Sequence, residues 1–164
     1  MGKYRADNLL PMFEMAAALR NDMLKAGFTD NGGAIHSAER IIDILGQRVC
    51  YPLLTHSNNL KRHPNAERTQ AADDLLRKGE NASVKIEHVS PQRALTRLAI
   101  DQLKKGGPEA VIQTLLDNYR LVLLSSFEMA ELNRVNRSEL QADRLQKCGL
   151  EIVAGVRPPW PAGG

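Results

Sequence analysis

Apolar residues recur at spacings of three and four through most of this sequence, and this helical periodicity restricts the chain to a mainly α fold. It predicts helices over residues 8–28, 34–50, 65–78, 93–105 and 108–119. The first of these carries its apolar face at Leu9, Met12, Phe13, Ala16, Leu19, Met23 and Leu24. We expect its methionines to fill the core or to pair with another helix.

Two short segments depart from this periodicity. Residues 83–89 alternate between apolar and polar side chains, which is typical of a half-buried strand. Residues 120–124 are continuously apolar and too few for an exposed helix, so they predict a buried strand that pairs with the first. Ser125-x-x-Glu128 is a capping box that predicts a helix to about residue 135. A similar box predicts a last helix over residues 138–149.

The predicted fold class is therefore mainly α with a short two-stranded β element, an α+β fold. At 164 residues the chain has the length of one domain, which we place at residues 1–154. Residues 1–80 form its helical part and residues 81–154 the part that contains both strands. Residues 155–164 are rich in proline and glycine and predict an irregular tail.

Composition bounds the location and the partners of the chain. No segment approaches the length of about 20 apolar residues that a membrane helix needs, and no secretory leader is recognisable, so a cytoplasmic location is expected. Cys50 and Cys148 lie far apart and predict buried thiols rather than a zinc site. The net charge of +3 permits a nucleic-acid partner without requiring one. The sequence gives no oligomeric state.

One constellation has a possible chemical meaning. The first strand ends in Glu87-His88-Val89-Ser90-Pro91, and the second strand leads into a helix that carries Asn133 and Asn136. The order of an acid and a histidine, a proline, an apolar strand and a helix with asparagine resembles the HNH endonucleases of the ββα-metal class. The similarity covers residues 83–140, so residues 81–154 are interpreted as an HNH-like, ββα-like half.

This resemblance implies a metal-dependent endonuclease that hydrolyses DNA phosphodiester bonds. His88 would be the general base that takes a proton from water. Glu87 and Asn136, with Asn133 as substitute, would supply oxygen ligands to Mg²⁺ or Mn²⁺, because hard cations prefer oxygen donors. Adjacent strand residues point to opposite faces, so Glu87 and His88 share an ion only if the strand bends or ends there.

Four basic residues are the candidate phosphate contacts of such a nuclease. Arg134 and Arg137 flank the asparagines in sequence, and Lys61 and Arg62 belong to a short basic cluster. Such a cluster is also typical of a solvated surface.

Other interpretations remain open. Glu87 and His88 also fit a plain polar pair at a strand end, and the asparagines fit helix caps. The chain as a whole also fits a non-catalytic helical binding protein, an inhibitor or regulator that engages a protein or a nucleic acid. An HNH-like scaffold without catalysis is a third possibility.

Overall fold

The structure is a computed structural model, and it describes residues 6–162. The helices are α1 (Ala6–Lys25), α2 (His36–Cys50), α3 (Gln70–Arg77), α4 (Gln92–Asn118), α5 (Ser126–Val135) and α6 (Arg144–Lys147), and the strands are β1 (Val84–His88) and β2 (Leu121–Ser125). Shorter helical turns occupy Asp30–Ala34, Ser57–Arg62 and Asn81–Ser83. The predicted fold class, mainly α with a two-stranded element, is confirmed.

β1 and β2 pair in antiparallel register, with His88 opposite Leu121 and Val84 opposite Ser125. The alternating pattern of one strand and the apolar run of the other therefore predicted the pairing correctly. On its far side β2 hydrogen-bonds to the chain around Arg68, which also bridges to Ala154. The side of β1 away from β2 lies at the edge of this small sheet.

Two apolar cores lie on opposite faces of the sheet. The main core contains Val84 and Leu121 of the strands together with the inner faces of α1, α2 and α4. The second, smaller core contains Val122 and Leu124 of β2 with Leu132 of α5. Because side chains alternate along a strand, β2 contributes to both cores, and α5 therefore packs on the opposite side of the sheet from α2.

The structure modifies four predicted helices. Residues 93–105 and 108–119 form α4 together, with a break at Gly107, whose φ of 74° is not helical. The helix predicted over residues 65–78 begins only at Gln70, where the side chain of Thr69 caps it. The helix predicted over residues 138–149 is reduced to Arg144–Lys147. Asn136 is the reason, because its amide group closes a turn with the backbone of Glu139.

One flank of α1, beside its buried face, is apolar and exposed. Phe13 is fully buried, but Met12 and Met15 are exposed, Met15 by 72%, and Leu19 lies beside them with 52% exposure. Core filling is therefore the wrong explanation for Met12 and Met15, and helix pairing stays a prediction.

The irregular segment after residue 155 packs onto the main core through Trp160. Its indole is buried and contacts Tyr51 edge-on, with the ring centroids 4.9 Å apart. Within residues 6–162, no helix combines the length and apolar character that crossing a bilayer requires.

Candidate active site

Glu87 and His88, the adjacent pair of the sequence motif, point to opposite faces of β1. The strand is regular and remains paired with β2 through His88, so it does not bend to bring the two side chains together. His88 turns toward α2 on the main-core side, and Glu87 turns toward α5 and α6. Each side chain therefore has its own set of partners.

His88 is held by a carboxylate of α2. Its Nε2 lies 2.8 Å from Oδ1 of Asp43, and the hydroxyl group of Tyr119 donates a hydrogen bond to the same oxygen, also at 2.8 Å. A carboxylate acceptor fixes the tautomer with the proton on Nε2. Nδ1 then carries the lone pair, and no described residue hydrogen-bonds to it. The side chain is 30% exposed, so the ring is both oriented and accessible.

Asp43 is suited to support a charged imidazole. Burial alone would raise the pKa of this carboxyl group, but the hydrogen bonds from His88 and Tyr119 and the nearby charge of Arg40 outweigh burial and lower the pKa. Asp43 is thus an anion at neutral pH. An anion in contact with Nε2 stabilises the imidazolium that forms when Nδ1 takes a proton.

Gly46 makes room for this arrangement. It lies one turn after Asp43 on α2, and a β-carbon at this position would overlap the ring of Tyr119. The ring of Tyr119 in turn meets that of His88 edge-on, with the centroids 5.8 Å apart. Burial raises the pKa of the Tyr119 hydroxyl, so this group stays protonated and remains a hydrogen-bond donor to Asp43.

On the other face of β1, the carboxylate of Glu87 pairs with a buried guanidinium group, that of Arg144. Nη1 of Arg144 lies 3.2 Å from Oε1 of Glu87, and the Arg144 side chain is only 1% exposed. The same guanidinium group donates to backbone oxygens of His88, Val89 and Asn136. Arg144 therefore ties the end of β1 to the segment that follows α5.

The two candidate asparagines are also engaged. Oδ1 of Asn133 lies 3.4 Å from Nη2 of Arg144. Asn136 is the residue just after α5, and its amide oxygen accepts from the backbone N–H of Glu139 at 2.9 Å. The oxygens predicted to bind Mg²⁺ or Mn²⁺ are thus committed to a guanidinium group and to a local turn. In this arrangement the oxygens of Glu87, Asn133 and Asn136 do not converge on a position that fits a metal ion. The metal site stays a prediction from the sequence motif. Within residues 6–162, no group of three or more acidic, histidine or cysteine side chains could hold a metal ion.

A cavity of about 580 Å³ adjoins both residues of the motif. Glu87, His88 and Asn133 line it. Arg93, Arg97 and Arg137 contribute guanidinium groups to its lining, and Gln92 and Ser138 add neutral polar groups.

Two of the three arginines that line the cavity are paired with carboxylates, and the third is not. Arg93 binds the carboxylate of Glu39 at 2.9 Å, and Arg97 binds that of Asp30 at 3.0 Å. Arg137 is exposed, and no described residue pairs with it. Since Glu87, Glu39 and Asp30 are paired with Arg144, Arg93 and Arg97, the charge left over on the described lining is the positive charge of Arg137, which favours an anionic ligand.

The remaining candidate phosphate contacts lie elsewhere. Arg134 points to solvent and pairs with Glu131, and Nζ of Lys61 donates to the backbone oxygen of Asn81. Lys61 and Arg62 belong to the helical turn Ser57–Arg62 and do not line the cavity. Of the four basic residues predicted to contact phosphate, the structure places Arg137 at the cavity.

Sequence reasoning missed Asp43, Tyr119 and Arg144. For Asp43 a weak signal existed, because an acidic residue between Ile42 and Ile44 lies beside the inner face of an amphipathic helix. Arg144 carries no such signal, since nothing local distinguishes it from the other arginines.

Comparison with known proteins adds no family to these observations, because no family model, curated protein or solved structure matches the chain. The resemblance to HNH endonucleases stays a prediction from the motif.

Proposed function

We propose that this chain is a nuclease that cleaves phosphodiester bonds with His88 as the general base. The observation that carries the proposal is the contact between Nε2 of His88 and Asp43, which leaves Nδ1 as a basic nitrogen on a ring that lines the cavity. An oriented histidine is the commonest general base, and its pKa range suits proton transfer near neutral pH.

Each group has a distinct part in this chemistry. His88 removes the proton of the attacking hydroxyl group through Nδ1. Asp43 stabilises the imidazolium that results, and Tyr119 holds Asp43 in place. A positioned base of this kind accelerates reactions by roughly 10²–10⁴-fold.

Substrate binding follows from the lining of the cavity. Arg93, Arg97 and Arg137 present guanidinium groups, whose planar donors match phosphate oxygens. Of the three, Arg137 is the best placed to bind a phosphate group, because no described residue pairs with it and no ion pair has to break. The amide group of Asn133 adds a neutral donor.

The predicted metal-dependent DNA nuclease shares its base and its cavity with this proposal. Its metal ion would require Glu87 and Asn133 to exchange Arg144 for Mg²⁺ or Mn²⁺. No step of the mechanism is therefore assigned to a metal ion.

The test measures cleavage of labelled DNA and RNA oligonucleotides with and without divalent cations. We expect cleavage by the full chain that falls by about 10²–10⁴-fold in His88→Ala. The matched control is His56→Ala, which changes an exposed histidine outside the cavity. His88→Asn, which can still donate to Asp43, separates loss of the base from loss of the fold. Equal cleavage by all variants, or none by the wild type, contradicts the proposal.

A helical binding protein is the second candidate, and the exposed face of α1 favours it. Met12, Met15 and Leu19 form an apolar strip on this helix, and such a strip is typical of a surface that contacts another protein. This candidate predicts that Met15→Glu abolishes the complex with that protein while His88→Ala leaves it intact.

A further inference from the structure

We infer that the substrate of this site is RNA, cleaved by attack of its own 2′-hydroxyl group. The inference rests on the proposed function and names its substrate class. Two observations in one cavity support it. Nδ1 of His88 is a basic nitrogen that no described residue hydrogen-bonds to, and the oxygens of Glu87 and Asn133 are held by Arg144.

Cleavage of DNA has a requirement that this cavity does not meet. Its nucleophile is an external water molecule, which must be oriented as well as deprotonated. Oxygen donors could do this by ordering a hydrated cation, but the carboxylate of Glu87 lies 3.2 Å from Nη1 of Arg144. Oδ1 of Asn133 faces Nη2 of the same residue at 3.4 Å. The described lining thus offers one base and one guanidinium group without a carboxylate partner, that of Arg137.

RNA removes this requirement because the nucleophile is part of the substrate. The 2′-hydroxyl group lies next to the scissile phosphate, and well-oriented intramolecular reactions have effective molarities of roughly 10⁵–10⁸ M. What the protein must add is a base for the 2′-hydroxyl proton and positive charge for the phosphate. His88 supplies the first, and the guanidinium group of Arg137, which no described residue pairs with, supplies the second.

The reaction balances without a further reactant. Nδ1 of His88 takes the 2′-hydroxyl proton as the bond between the 2′-oxygen and phosphorus forms. The bond from phosphorus to the 5′-oxygen breaks, and its electron pair leaves on that oxygen, which takes a proton from water. The imidazolium returns its proton to the hydroxide ion that results. The products are a 2′,3′-cyclic phosphate and a 5′-hydroxyl end.

The dimensions of the cavity are compatible with this substrate. Its volume of about 580 Å³ is within the range of roughly 300–1,000 Å³ that is usual for small-molecule sites, which is enough for one nucleotide unit. Among the described residues that line it, His88 carries the only aromatic ring. Recognition would therefore depend on phosphate and amide contacts more than on base stacking, and we expect weak sequence preference.

The experiment compares three single-stranded oligonucleotides of one sequence: RNA, DNA, and RNA with a 2′-O-methyl group at every position. Each is incubated with the full chain in EDTA and, separately, in Mg²⁺. We expect only unmodified RNA to be cleaved, at equal rates in both buffers, with fragments that end in a 2′,3′-cyclic phosphate. His88→Ala, purified in the same way, should lower the rate by about 10²–10⁴-fold, which also excludes a contaminating ribonuclease.

Two results overturn the inference in distinguishable ways. Cleavage of DNA or of methylated RNA that depends on His88 shows an external nucleophile, so the inference fails while the proposed nuclease stands. No His88-dependent cleavage of any of the three oligonucleotides, with or without Mg²⁺, removes both.

Discussion

Replacing Arg144 by methionine should destabilise the protein by about 3–5 kcal/mol, the usual cost of breaking a buried ion pair from one side. Methionine approximates the length of the side chain without its charge. The substitution leaves the carboxylate of Glu87 buried without a countercharge. It also removes donors from the backbone oxygens of His88, Val89 and Asn136, and an unsatisfied buried group alone costs about 1–3 kcal/mol. The loss is large against the 5–15 kcal/mol that stabilises a typical domain.

Urea unfolding at neutral pH, followed by far-ultraviolet circular dichroism, measures this effect directly. Arg134→Met is the matched control, because Arg134 is 71% exposed and its pair with Glu131 lies in solvent, so its midpoint should not change. The double variant Glu87→Met with Arg144→Met should recover part of the loss, since it removes the orphaned carboxylate. A loss below about 1 kcal/mol in Arg144→Met, or no recovery in the double variant, would refute the view that Arg144 neutralises Glu87.

Two further predictions concern packing beside the candidate base and pH dependence. Gly46→Ala should lower the free energy of unfolding in urea by about 1–3 kcal/mol, because the added methyl group overlaps the ring of Tyr119. It should also slow His88-dependent cleavage in the oligonucleotide assay. Unchanged stability would contradict the close packing of Gly46 against Tyr119. The ion pair with Arg20, opposed by burial and reinforced by Arg97, lowers the pKa of the Asp30 carboxyl group from 3.8 to about 2. The stability that Asp30 contributes is therefore present above pH 4 and is lost as the pH falls toward 2. Asp30→Asn should cost about 2 kcal/mol at pH 7 and little at pH 2, which urea unfolding of both proteins at the two pH values would measure.

The strand pairing illustrates what local patterns predict well. The number of buried faces of a strand can be read from its pattern: one face for the alternating residues 83–89 and two for the apolar residues 120–124. Because the sequence predicts no other strand, these two were expected to pair, and they do. The capping box of Ser125 and Glu128 was confirmed for a similar reason, since both of its hydrogen bonds join residues close in sequence. The last helix was predicted wrongly because the side chain of Asn136 competes with the backbone there.

The sequence motif says less about the candidate site than the other patterns say about the fold. It proposed a joint role for Glu87, His88 and Asn133, which all line one cavity, and that role stays a prediction. It assigned a shared role to two neighbouring side chains that the strand directs to opposite faces. Their actual partners, Asp43 and Arg144, are 45 and 57 residues away in sequence.

The sequence by itself determined the helical class of this protein, its two strands and the position of His88 at the end of one of them. Periodicity, caps and strand alternation encode these features because they depend on neighbours along the chain. Only the tertiary structure decided that His88 hydrogen-bonds to Asp43 of α2. It also decided that Arg144 binds the oxygens of Glu87 and Asn133 that were predicted to bind a metal ion. Those contacts depend on which helices pack on which face of the sheet, and that choice arises from burial of the whole chain rather than from any local pattern.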